Sequence, residues 1–133
     1  MKSEKMKIIC GTDFSAAAAQ ASTAAAAIAI KAKEPLLLVH VLETPAGEFL
    51  GKEVIDSIIG KGSSKLKEEA DRLRALGAKV EEHFAVGSAY ETLIDLVRQT
   101  RTRMVVLGST KRSAPARWFI GSVAERVAQS APA

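Results

Sequence analysis

Four short apolar runs, "MKIICG" at residues 6–11, "LLLVHV" at 36–41, "AKVEEHFAVG" at 78–87 and "RMVVLG" at 103–108, alternate with segments of helical character. No other feature constrains the fold as strongly. Parallel neighbouring strands need crossovers of about a dozen residues or more, helices supply them, and the crossovers are right-handed, so helices come to cover both faces of the sheet. The predicted fold class is α/β: a doubly wound parallel sheet, Rossmann-like, in a single domain spanning residues 1–133. "LLLVHV" lacks the polar alternation of a half-exposed strand and is read as central.

The turn "TDFS" precedes an alanine-rich helix from Ala16 to about Ala32, where small, strongly helix-forming residues allow a helix to lie close on a sheet. "SSKLKEEADRLRALG" forms a second helix with Leu66, Ala70, Leu73 and Leu76 near one stripe and Gly77 as its stop. Residues 42–62, broken by Pro45, Gly47, Gly51, Gly60 and Gly62, are read as a long loop with room for a short helix. Ser88 and Glu91 form a capping box for a helix burying Leu93, Ile94 and Val97, and Ser122 with Glu125 marks the start of a last helix.

No apolar stretch approaches the roughly 20 residues of a membrane span, and the first apolar run is too brief for a secretory leader, which predicts a cytoplasmic protein with no membrane partner. Cys10, the sole cysteine, lies in an apolar strand and is assigned to packing. The net charge of +4 is unevenly placed: Arg98, Arg101, Arg103, Lys111, Arg112 and Arg117 fall in a stretch without a single acid between Asp95 and Glu125. Only 5% of residues are aromatic, so a small anion suits this potential better than nucleic acid.

In open α/β sheets ligands bind beyond the carboxyl ends of the strands, where the strand order reverses. With the order 3-2-1-4, the turns after the first and fourth strands flank one crevice. Gly108 lets backbone come close to a ligand, while Gly121 and Ser122 open a helix whose free amides suit a phosphate. Ser122 is equally an ordinary cap. Asp13 either caps the helix that follows it or accepts from a ribose hydroxyl. The loop has no GK[ST] triplet, and His40 and His83 have no Ser or Cys partner by spacing, so both are read as core or rim histidines and no catalytic set is predicted.

"IICGTDFS", "LLLVHV" and "VVLGSTKRSAPARWFIGSVAERV" together resemble the universal stress protein family, over nearly the whole chain. Nucleotide-binding members carry G-x2-G-x9-G-(S/T); Gly108, Gly121 and Ser122 match, and Lys111 stands at the second glycine. The resemblance implies an adenine nucleotide alpha hydrolase-like fold with ATP at the reversal point and Mg2+ only in its company. It places Thr12, Asp13 and Val41 around adenine and ribose, and Val123 beside Gly108, Gly121 and Ser122 at the phosphates. Lys111 either strains the loop or brings an ammonium to the phosphates. Family members usually continue into a fifth strand that pairs across a homodimer, whereas this chain stops at "APA", so that strand is expected to be absent. The implied function is a non-enzymatic, ATP-binding stress or signalling module. The alternative is a member without nucleotide that serves as a dimerisation or protein-interaction scaffold.

Overall fold

The computed structural model describes the backbone at residues 6–43, 51–109 and 117–122, and side chains at 6–43 and 51–108. The order of elements is β1 (Lys7–Gly11), α1 (Ala16–Ala32), β2 (Leu36–Leu42), α2 (Lys52–Ala75), β3 (Val80–Val86), α3 (Ala89–Gln99), β4 (Thr102–Ser109) and β5 (Arg117–Ser122). They build one sheet in the order β3-β2-β1-β4-β5, with β1 to β4 parallel and β5 antiparallel to β4. The chain winds outward from β1 to β3, then crosses to the far side of β1 for β4. The reversal therefore falls between β1 and β4, which is the order 3-2-1-4 that the crevice requires.

The period of two along each strand divides the core into layers. Ile8, Cys10, Leu36, Leu38, Val80 and Val106 pack with α1 and α2, through Ala21, Ala25, Ala26, Ala29, Leu66, Ala70 and Leu73. Ile9, Leu37 and Val39 face the other way, onto Leu96 of α3. Burying Cys10 among hydrocarbon disfavours its thiolate and pushes the thiol up to about 12, which agrees with a packing role. The stripe expected on the second helix holds at Leu66, Ala70 and Leu73 but not at Leu76, which caps the helix and is 52% exposed.

A polar seam joins α1 to α2. Ser22, fully buried, donates its one hydroxyl proton to Glu69 Oε2 at 2.6 Å, with the Ala19 carbonyl oxygen 3.1 Å away, while Arg72 bonds both carboxylate oxygens of Glu69, at 2.9 and 2.7 Å. The Arg72 guanidinium, then the Ser22 hydroxyl, hold the Glu69 carboxyl below its ordinary range against the opposing effect of burial. A lowered folded-state value contributes stability above the unfolded-state pKa and loses it as pH falls through the folded-state one. Glu69→Gln is accordingly expected to cost about 1.5 kcal/mol at pH 7. Urea titrations should show that difference shrinking below about pH 4.

Two expectations are corrected. The supposed loop of residues 42–62 contributes its last part to α2, a single helix of 24 residues that takes in Gly60 and Gly62. Each glycine costs a helix about 1 kcal/mol relative to alanine, but the following "SSKLKEEADRLRA" propagates strongly, and extending an existing helix is far cheaper than nucleating one. Gly62 has a packing reason as well, since a β carbon there would stand 2.7 Å from the Phe84 ring. The other correction concerns residues 117–122, read as a loop leading into a helix that opens at Gly121–Ser122. They form β5, with Gly121 opposite Val105 and Ser122 opposite Met104. "RWFIGS" is rich in residues that favour strands, and the β4 edge would otherwise present a row of unpaired amides and carbonyls. The remainder of the predicted last helix, from Val123 onward, lies outside the described residues.

Candidate functional site

The register sets Gly11 beside Val39 of β2 on one side and Leu107 of β4 on the other, so the residues after Gly11 and Leu107 emerge together at the carboxyl ends of the strands. Four hydrogen bonds shape the turn that follows β1. Thr12 N–H continues the ladder to the Val39 carbonyl at 2.8 Å; Phe14 N–H donates to Thr12 Oγ1 at 3.0 Å; Ser15 N–H donates to Asp13 Oδ1 at 2.9 Å; and Ala18 N–H donates to Ser15 Oγ at 3.1 Å. Ser15 is thus the N-cap of α1, and Asp13 organises the turn before it instead of capping the helix. Thr12 is buried and Asp13 exposed.

Val41, two residues beyond the partner of Gly11, is half-buried on the α3 side of β2, against the layer of Ile9, Leu37, Val39 and Leu96. Gly108, next to last in β4, lies against α1: a β carbon there would lie 2.6 Å from both the Ala17 carbonyl oxygen and Ala18 Cα. The missing side chain therefore admits the first turn of α1. Thr12, Asp13, Val41 and Gly108 come to one end of the sheet. Gly121 and Ser122 do not join them, because antiparallel pairing carries them back along β4 to the level of Val105 and Met104. Lys111 and Val123 lie outside the described residues.

Sequence reasoning left two neighbours of the turn without a role. His40 Nδ1 stands 2.8 Å from the Thr12 carbonyl oxygen, and Phe14 adopts φ +65° with its ring 4.3 Å from the His40 ring. A histidine near the end of a central strand was the only available signal for the first, and nothing local marked the second. A cavity of about 450 Å³ opens on the α2 side of this turn, lined by Thr12, Phe14, Ser15, Lys65, Glu69 and Arg72 among others. A cavity of about 570 Å³ lies at the amino ends of the strands, beside Lys33, Glu34 and Lys79, away from Thr12 and Asp13. Among the described residues no cluster of three or more His, Cys, Asp or Glu could hold a metal ion, and no helix is long and apolar enough to cross a membrane.

A parallel sheet whose order reverses between β1 and β4, with a polar turn after β1 and a glycine near the end of β4 at the reversal, defines a doubly wound α/β protein, a class in which ligands bind beyond the carboxyl ends of the strands at the reversal. The chain belongs to the universal stress protein family, whose model matches residues 5–133. Solved structures agree. A universal stress protein from Archaeoglobus fulgidus is 26% identical with a TM-score of 0.66, over 95% of this chain and 92% of that one. A structure of the universal stress protein from the same organism in complex with dAMP is 25% identical, with a TM-score of 0.67 over 97% and 94% of the two chains. The protein UspA from Lactobacillus plantarum shares the fold at 23% identity, with a TM-score of 0.71 over 98% and 95%. Comparison with curated proteins gives no match.

Proposed function

We propose that this chain is a non-enzymatic stress-response module that binds an adenine nucleotide, ATP in the first instance, at the carboxyl ends of β1 and β4. The observation that carries the reading is the direct pairing of β1 with β4, which delivers the Thr12–Asp13 turn and Gly108 to the same end of the sheet. The relative at 25% identity solved with dAMP supports a nucleotide as the guest. Thr12, Asp13 and Val41 take the base and ribose in this reading. The phosphates lie toward Gly108, with the Lys111 ammonium supplying by charge what the second glycine of the motif supplies by backbone. Gly121, Ser122 and Val123 enter the site only if Gly121 and Ser122 leave their pairing with Val105 and Met104. Mg2+ accompanies the nucleotide and has no site of its own in this reading, and the working unit is a homodimer.

Calorimetry with ATP tests the proposal. Saturable heat is expected from the wild-type chain, and Asp13→Ala should weaken binding about tenfold by removing a charge-assisted hydrogen bond. Weaker binding by Lys111→Gly assigns the ammonium to the phosphates; tighter binding means that the lysine obstructs them. Folded protein that takes up no ATP at millimolar concentration overturns the reading and leaves the scaffold alternative.

A further inference from the structure

The turn bearing Thr12 and Asp13 is tied down from the neighbouring strand. His40 in β2 holds Nδ1 2.8 Å from the Thr12 carbonyl oxygen. A carbonyl only accepts, so Nδ1 carries the proton. The His40 ring sits between two phenylalanines, with centroids 4.3 Å from Phe14 and 5.5 Å from Phe84. Phe14 occupies the left-handed region at φ +65°, which side-chain-bearing residues avoid unless their surroundings hold them there. Its surroundings do so through the Thr12 hydroxyl on its amide, the His40 ring against its own, and the Lys65 ammonium 6.0 Å from its centroid.

The left-handed residue determines which way the chain faces. Phe14 packs against the α1 and α2 core layer, while Asp13, immediately before it, stays in solvent with Oδ1 already engaged by the Ser15 amide. We propose that His40 is a positioning residue for the nucleotide site: its Nδ1–H and its ring lock residues 12–14, so that Asp13 is presented at the crevice in one conformation. It acts through Thr12 and Phe14 and does not touch the ligand. The inference rests on Thr12 and Asp13 being the ribose and base side of the site.

His40→Phe keeps an aromatic ring between Phe14 and Phe84 and removes the donor. The ATP dissociation constant is expected to rise about tenfold in the folded variant, well below its unfolding temperature. His40→Asn, whose carboxamide NH2 reaches a position close to that of Nδ1, should recover most of the loss. Combining His40→Phe with Asp13→Ala should cost less than the product of the two single effects, because a misplaced Asp13 has little left to lose. In the nucleotide-free protein, amide hydrogen exchange at Phe14 and Ser15 should quicken about tenfold in His40→Phe, with exchange in α3 unchanged. Unchanged exchange at Phe14 and Ser15 overturns the positioning role, as does unaltered affinity in a protein that binds ATP. If the wild-type chain takes up no ATP, the functional reading fails by itself, and the exchange comparison still decides what His40 does to the turn.

Discussion

Gly108→Ala is expected to destabilise the fold by about 3 kcal/mol, seen as a lower urea midpoint at unchanged slope. Gly108 is not among the glycines with positive φ, so alanine meets no conformational obstacle there, and shedding glycine's excess freedom in the unfolded chain should on its own raise stability. Close approach reverses the sign. The added carbon would meet Ala17 O and Ala18 Cα at 2.6 Å and Ala18 N at 2.8 Å, all backbone of α1, which cannot swing aside as a side chain would. The helix must lift from β4 or the strand must bend. Gly60→Ala is the matched control, since a β carbon at that helical position meets nothing within 4 Å and should stabilise by about 0.5–1 kcal/mol. A neutral Gly108→Ala would mean that α1 does not lie this close to β4.

Leu38→Ala should cost about 4 kcal/mol in the same measurement, toward the upper end of the range for large-to-small core changes. The side chain is fully buried in β2, and the penalty depends on how far the surroundings collapse into the space left behind. Here they have little to offer. The nearby face of α1 presents Ala21, Ala25, Ala26 and Ala29, none long enough to reach into the gap, and α2 is already held through Leu66, Leu73 and the Ser22–Glu69–Arg72 seam. A loss below about 1.5 kcal/mol would show that the α1 and α2 layer shifts more freely than this packing implies.

Much of the candidate site could be read beforehand because it depends on short-range rules. A glycine at the end of a strand, a Thr-Asp-x-Ser turn and a helix start are written in adjacent residues, and the strand order 3-2-1-4 brought the first and last turns to one end. Asp13 reads in the sequence as a cap of α1 or a ribose partner, and its hydrogen bond to the Ser15 amide shows that its carboxylate serves the turn and leaves the cap to Ser15. Gly108 illustrates the limit. Absence of a side chain announces that something comes close, without saying whether the visitor is a ligand or, as here, the first turn of α1. Lys111 lies outside the described residues, so its effect on the phosphate side rests with the binding experiments.

By itself the sequence determined the alternation of strand and helix, the apolar faces, the buried fate of Cys10 and the turn at Thr12–Asp13, since each follows from spacing and propensity within a few residues. Only the tertiary structure decided the rest. A helix continues through Gly60 and Gly62, with Phe84 of β3 packed against the second glycine; β5 closes the edge of β4; and His40 reaches under Thr12 from the next strand. Those outcomes turn on contacts between residues far apart in the chain, and a local pattern has no means of expressing the energy of a meeting that exists only once the sheet has formed.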